Sequence, residues 1–133
     1  MAVSERATGR MLGWPTPLAC LYSIAMETGI GVRDYPHGHA DIAAVVTDSK
    51  AIALNSAITD DELRADVLAM ALEVAIVMAN RPGAICDPGE FVVITRNRVP
   101  APAVGVGRFA TLMARTCGQE TDSAAFDYYI FRR

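Results

Sequence analysis

Hydrophobic residues recur at helical spacing in two segments of the chain, and the first segment follows Thr16 and Pro17. A hydroxyl cap followed by proline at the first helical position is a common helix start. The apolar stripe of this segment is formed by Leu18, Leu21, Tyr22 and Ala25. Gly29 is suited to end the helix, because glycine readily adopts the left-handed backbone found there. We therefore predict a first helix over residues 17–28.

The second helical segment is the longest in the chain and runs from Thr59 to Asn80. It begins Thr-Asp-Asp-Glu, a capping box in which Thr59 caps the helix and Glu62 reaches back to the first turn. The expected buried stripe consists of Leu63, Val67, Met70, Val74 and Val77. One charge, Glu73, interrupts the apolar middle of this predicted helix.

Short apolar runs, several of them rich in β-branched or aromatic residues, predict strands elsewhere. These runs are residues 30–34, the two arms of a hairpin at 41–47 and 50–55, residues 91–95 and the aromatic tail at 124–133. Residues 106–118 read as a short third helix, and the Pro- and Gly-rich segments at 81–90 and 96–105 read as loops. The predicted fold class is α+β, with helices packed on a mostly antiparallel sheet in one small domain over 16–133. Residues 1–15 are expected to form a flexible N-terminal arm.

Composition excludes several classes of protein. With 133 residues, 52% of them hydrophobic and 20% charged, the chain is expected to fold as one globular domain. The net charge of −3 disfavours electrostatic binding to nucleic acid. Residues 67–79 are apolar but too short to cross a membrane, and Glu73 interrupts them. Because Lys50 is the single lysine among 12 basic residues, the sequence suggests a GC-rich genome, of actinobacterial or actinophage type.

The three cysteines have no CxxC spacing. Cys20 lies in the predicted first helix, where we expect it to be a small buried hydrophobic residue. An odd number of cysteines disfavours a disulfide framework and favours a reducing, cytoplasmic compartment.

The order of elements from LYSIAMETGIGV through KAIALNSAITDDE to LRADVLAMALEVAIVMA resembles the ImmA/IrrE family of zinc peptidases, which accompany phage and mobile-element repressors. The resemblance covers residues 16–80 and implies a zincin-like core, in which the long helix carries an H-E-x-x-H motif. In that motif the two histidines share a helix face and bind zinc, while the glutamate activates the bound water. In this chain the glutamate position falls on Glu73, and the histidine positions fall on Leu72 and Ile76.

Aliphatic side chains at Leu72 and Ile76 offer no lone pair to a metal. The family's third ligand is an acidic residue downstream, yet residues 91–119 contain no Asp or Glu. We therefore expect a degenerate member without a zinc cofactor. Glu73 is then either a relic of a catalytic base or an ordinary glutamate on a solvated helix face, and the sequence leaves both interpretations open.

Two other groups of residues carry candidate chemistry. The loop His-Gly-His-Ala-Asp could place His37, His39 and Asp41 on one side of an extended segment, as metal ligands. The alternative is that these are solvent-exposed loop histidines. The aromatic tail, which includes Phe126, Tyr128 and Tyr129, could fill the core or form a contact surface.

Three functions remain open from the sequence. The first is a non-catalytic protein-binding module in a phage or mobile-element immunity circuit, holding a repressor or host protein near Leu72, Glu73 and Ile76. The second is an active metal-dependent peptidase or hydrolase whose site has been rearranged around the histidine loop. The third is a DNA-associated transcriptional regulator, which the acidic balance disfavours. A homodimer formed through the aromatic tail or the edge of the hairpin is compatible with each of these three functions.

Overall fold

The computed structural model describes residues 16–38, 41–96, 104–107, 117 and 126–133. In chain order the elements are α1 (Pro17–Glu27), β1 (Gly31–Tyr35), β2 (Ile42–Asp48), β3 (Ala51–Asn55), α2 (Asp61–Asn80), β4 (Glu90–Thr95), β5 (Gly105–Gly107) and β6 (Asp127–Arg132). They form an α+β fold in which the helices pack on a mixed, mostly antiparallel sheet, as the sequence predicts. The predicted arm at 1–15 and most of the predicted third helix lie outside the described residues.

The six strands form one sheet in the order β1-β3-β2-β4-β6-β5. Strand β1 pairs with β3 in parallel, and every other neighbouring pair is antiparallel. The hairpin β2–β3 turns at Ser49 and Lys50, where an Asp48 carboxylate oxygen accepts a hydrogen bond of 2.7 Å from the Lys50 amide. Strand β1 is therefore the edge of the sheet next to the hairpin, and β2 lies inside the sheet.

The first helix begins and ends as its sequence predicts. The hydroxyl of Thr16 accepts a hydrogen bond of 3.1 Å from the amide of Ala19, and Pro17 is the first helical residue. Gly29 follows the helix with a φ of 72°, a conformation that costs glycine little. The chain can therefore turn at once from α1 into β1.

The cap of the second helix differs from the prediction by one residue. Asp60, and not Thr59, is the N-cap, and its carboxylate accepts a hydrogen bond of 2.9 Å from the amide of Leu63. A carboxylate at this position also interacts favourably with the positive end of the helix dipole. Since Thr59 and Asp60 are both good caps, the sequence did not distinguish them.

The middle of α2 is buried on nearly all sides. Its buried residues are Ala65, Val67, Leu68, Ala69, Met70, Ala71, Leu72, Val74 and Ala75. A helix that is apolar all round lies inside a core rather than on its surface. The stripe predicted from the sequence is correct for Val67, Met70 and Val74, whereas Leu63 and Val77 are only half-buried. The helix packs against β2, β3 and α1.

The two faces of the sheet have separate apolar surfaces. The helix-covered face carries Val46, Val92 and Ile94, which join the main hydrophobic core, and Ile130 packs against them. Ala53 and Val93 are also buried, at 4% and 6% exposure, but they do not belong to that core. They lie on the opposite face, because side chains alternate along a strand. We call this opposite face the outer face.

Two further predictions are wrong. Residues 105–107 were expected in a loop and a helix start, but they form β5, which pairs with Tyr128, Tyr129 and Ile130. Cys20, expected to be a free buried thiol, forms a disulfide with Cys117, and Cys86 remains a free thiol. The Cα atoms of the bonded pair are 5.7 Å apart, a usual disulfide separation. Within the described part of the chain, no helix is both long and apolar enough to cross a membrane.

Candidate functional site

The three residues at the motif positions of α2 have different environments. Leu72 is fully buried in the core, at 0% exposure, and Ile76 is half-buried and packs against that core. Because no partner can reach a side chain with 0% exposure, Leu72 is not available for the partner contact considered for it, and only Glu73 and Ile76 of the three are partly exposed. Glu73 is half-buried and has interactions of its own. Half-burial is compatible with both interpretations of Glu73, the relic of a catalytic base and the ordinary glutamate on a partly solvated helix face.

Glu73 lies close enough to Tyr128 for its charge to act on the phenol. Burial raises the pKa of Tyr128 from its ordinary value of 10.0, and the negative charge of Glu73 raises it further, with a contribution from Cys86. Tyr128 is on β6, where it pairs with Ile94, and it packs against the core. The structure thus brings together a carboxylate from the middle of α2 and a phenol from the predicted aromatic tail.

Cys86 is the third group in this neighbourhood. It lies in the loop between α2 and β4, and its side chain packs against the core. Burial raises the pKa of the Cys86 thiol, and the negative charges of Glu90 and Asp87 raise it further, while Arg133 opposes them. A thiol of raised pKa is a poor nucleophile at neutral pH, because the thiolate is the reactive form. The arrangement therefore does not favour cysteine-based catalysis.

The predicted histidine loop is described only in part. The Nε2 atom of His37 lies 3.1 Å from the carbonyl oxygen of Ala53, and its ring lies 5.2 Å from that of Tyr35. The Asp41 carbonyl accepts a hydrogen bond of 3.0 Å from the amide of Arg96. His39 lies outside the described residues. Among the residues that are described, no three His, Cys, Asp or Glu side chains form a group that could hold a metal ion.

The aromatic tail is divided between the core and the two faces of the sheet. Phe126 is buried at 5% exposure and belongs to the core, so it is not available to a partner. Tyr128 lies on the helix-covered face. Tyr129 lies on the outer face, opposite Val93. Of these three aromatic residues, for which the sequence left core and contact surface both open, only Tyr129 therefore lies on the outer face.

The outer face also carries Phe131 of the aromatic tail and Phe91, which sequence reasoning did not consider for a contact surface. Phe91 and Phe131 are directly opposite each other in β4 and β6, and their rings stack at 5.8 Å. The guanidinium of Arg133 lies over the Phe91 ring. On the same face, at the β1 edge of the sheet, the guanidinium of Arg33 lies 5.5 Å from the centre of the Tyr35 ring. The available signal was the absence of polar alternation in FVVIT and DYYIF, which indicates a strand with apolar residues on both faces.

A partly buried arginine, which sequence reasoning also missed, connects the elements around β1. Arg64, in the first part of α2, donates hydrogen bonds to the Tyr22 hydroxyl at 2.8 Å, to Asp34 at 2.9 Å and to the Ile58 carbonyl at 3.1 Å. Burial alone would lower the pKa of Arg64, but the hydrogen bonds to Asp34 and Tyr22 outweigh it and the pKa is raised. The arginine is thus permanently charged and holds β1 against both helices.

No protein-family model matches this chain, and neither a curated protein nor a solved structure matches it.

Proposed function

We propose that this protein is a non-catalytic binding module, built on a zinc-peptidase-like arrangement of elements, which holds a protein partner. The observation that supports this most is the burial of Leu72. A leucine at the first histidine position offers no lone pair, and its side chain is packed inside the core rather than facing a cavity. Regaining a zinc site would require both a new ligand and an opening of the core.

A second observation supports binding rather than catalysis. The negative charge of Glu73 acts on the phenol of Tyr128, and Tyr128 and the nearby Cys86 thiol both have raised pKa values, so both stay protonated at neutral pH. The pKa values of thiols and phenols that act as catalytic bases or nucleophiles usually lie near the operating pH, and not above their ordinary values. By the resemblance of its first half, the partner would be a repressor or host protein in a phage or mobile-element immunity circuit.

The decisive experiment measures metal and hydrolysis together. Protein purified without a chelator and without a histidine tag is analysed for zinc, and a protein substrate is incubated with it in the presence of added zinc. We expect substoichiometric zinc and no cleavage. The His37→Ala, His39→Ala double variant serves as a control and should behave in the same way.

Two results would overturn the proposal. One is stoichiometric zinc that disappears in the double histidine variant. The other is hydrolysis that is lost in Glu73→Gln, which keeps the size of the side chain but removes the base. The binding half of the proposal is tested separately, by co-expression with repressors encoded beside this gene and analysis of co-elution.

A further inference from the structure

Strand β1 ends the sheet on one side. It pairs with β3 alone, and no other described strand lies beyond it. An open strand edge presents unpaired backbone groups, and extended peptides commonly bind by adding a strand to such an edge. Residues 31 and 33–35 of β1 are exposed, and Val32 is half-buried.

The hydrogen bonds to β3 show which backbone groups face outward. The Gly31 amide donates to the Lys50 carbonyl at 2.7 Å, and the Tyr35 carbonyl accepts from the Ser56 amide at 3.0 Å. In a parallel pair of strands, every second residue directs its N–H and C=O groups to the neighbouring strand. The backbone groups of Gly31, Arg33 and Tyr35 therefore face β3. Val32 and Asp34 therefore direct their N–H and C=O groups to the open edge.

The open edge has a defined length. The next outward position is Pro36, which has no N–H to donate. Before β1, the Ile30 amide is already bonded to the Ala25 carbonyl at 2.8 Å. The edge thus offers the four backbone groups of Val32 and Asp34 to one short extended segment.

Charge and side-chain position indicate what this segment carries. Arg33 is exposed on the outer face, and Lys50 is exposed in the turn next to Gly31. The one acidic residue of β1, Asp34, is already paired with Arg64 on the helix-covered side. Tyr35, at 49% exposure, adds an aromatic surface beside Arg33. A strand laid along this edge would meet positive charge and an aromatic ring on its outer-face side.

We propose that the open edge of β1 binds an extended peptide of a partner protein as an added antiparallel strand, with a carboxylate side chain of that peptide beside Arg33. This inference rests on the proposed binding function and deepens it by naming the surface and the chemistry of the partner. The backbone of Val32 and Asp34 supplies the affinity, and Arg33 supplies the preference for an acidic residue.

A second copy of this chain fits the edge less well. In the symmetric antiparallel register that bonds Val32 to Asp34 of the other copy, Arg33 faces its own symmetry mate on the outer face. In the register centred on Asp34, two aspartates face each other. Like charges directly opposite in a sheet are destabilising. The register centred on Val32 has neither conflict, but it places Asp34 opposite Ile30, whose amide is already bonded to Ala25. A heterologous acidic strand avoids the like charges and can bond all four outward groups.

The test uses the full chain and two synthetic peptides, acetyl-Thr-Val-Glu-Val-Thr-amide and the same peptide with Lys in place of Glu. Binding is followed by the NMR shifts of backbone amides. We expect the Glu peptide to shift the amides of Val32 and Asp34 and to bind about fivefold more tightly than the Lys peptide, as expected for an opposite against a like charge. Arg33→Glu should reverse the preference.

Two variants of Val32 distinguish a loss of backbone hydrogen bonding to the peptide from a loss of the fold. Val32→Pro removes the outward N–H but leaves the bonds of Gly31, Arg33 and Tyr35 to β3 intact, and it should abolish binding. Val32→Thr keeps the N–H and should bind as the natural chain does. The amide spectrum of each variant reports whether the sheet is preserved.

Several outcomes would overturn the inference. These are shifts located away from β1, equal binding of the two peptides, unchanged binding in a folded Val32→Pro variant, or no shift at millimolar peptide. If any of these occurs while the protein carries no zinc and cleaves nothing, the β1 edge is not the binding surface, but the proposed non-catalytic binding function is not contradicted. Stoichiometric zinc with cleavage would instead overturn the proposed function, whatever the peptides do.

Discussion

The guanidinium of Arg64 on α2 lies 2.9 Å from a carboxylate oxygen of Asp34 on β1. The arginine side chain is only 13% exposed, whereas the aspartate is 54% exposed, so the pair sits at the boundary between core and solvent. The same guanidinium also binds the Tyr22 hydroxyl of α1. One side chain therefore connects the long helix, the first helix and the edge strand.

We expect Arg64→Met to lower the free energy of unfolding by about 2 kcal/mol, because hydrogen bonds to a charged group each contribute about 1.5–3 kcal/mol and the exposed part of this network is discounted for solvent. Methionine keeps most of the apolar stem. Urea denaturation measures the change. The matched control is Arg132→Met, since Arg132 is 75% exposed and lies 3.8 Å from Glu90, and its loss should cost at most about 0.5 kcal/mol. Equal effects of the two variants would contradict the assigned role of Arg64.

The cap of α2 offers a comparison between neighbouring residues. Asp60→Ala should lower the free energy of unfolding by about 1 kcal/mol, because it removes the acceptor for the Leu63 amide. Thr59→Ala should change it by only a few tenths of a kcal/mol, within the range of ordinary surface substitutions. Denaturation of the two variants under the same conditions decides between the caps, and a larger effect at Thr59 would restore the capping box predicted from the sequence.

The disulfide should stabilise the fold strongly. Cys20 and Cys117 are separated by 97 residues, and closing a loop of this length removes about 4–5 kcal/mol of chain entropy from the unfolded state. We therefore expect Cys20→Ser, or treatment with a reductant, to lower the melting temperature. Cys86→Ser should leave the melting temperature sensitive to reductant. A natural chain whose melting curve is unaffected by reductant would show that the bond contributes nothing.

The effect of the Glu73 charge on Tyr128 predicts a dependence of stability on pH. Because the pKa of Tyr128 is raised in the folded state, its contribution to stability is fully present below the unfolded pKa of about 10 and is lost as pH rises through the folded pKa. Tyr128→Phe should therefore flatten the loss of stability in alkaline solution. In Glu73→Gln, ultraviolet titration of the phenol should give a lower pKa for Tyr128. An unchanged titration would place the carboxylate too far away to act.

The sequence predicted those elements whose signals are local. Thr16, Pro17 and Gly29 mark the ends of α1, and short apolar runs mark β2, β3 and β4 within a residue or so. Each of these signals acts through the residue's own backbone preference or its nearest neighbours. The mostly antiparallel sheet followed because the hairpin and the long helix limit the possible connections.

What could not be predicted depends on distant partners. Gly105 and Gly107 have little preference for a strand, and β5 exists because Tyr128 and Ile130 lie opposite them. The alanines of α2 are compatible with a surface or a core, so the burial of both sides of that helix was not visible in its pattern. The approach of Glu73 to Tyr128, separated by much of the chain, likewise depends on the order of the strands.

The bond between Cys20 and Cys117 has a consequence for how the molecule is made. On the ribosome, α1 emerges long before Cys117 is synthesised, so Cys20 remains a free thiol while Cys86 is added to the chain. An early bond between Cys20 and Cys86 would be a competing product. Folding before oxidation avoids this product, because the fold brings Cys20 to Cys117 and packs Cys86 against the core.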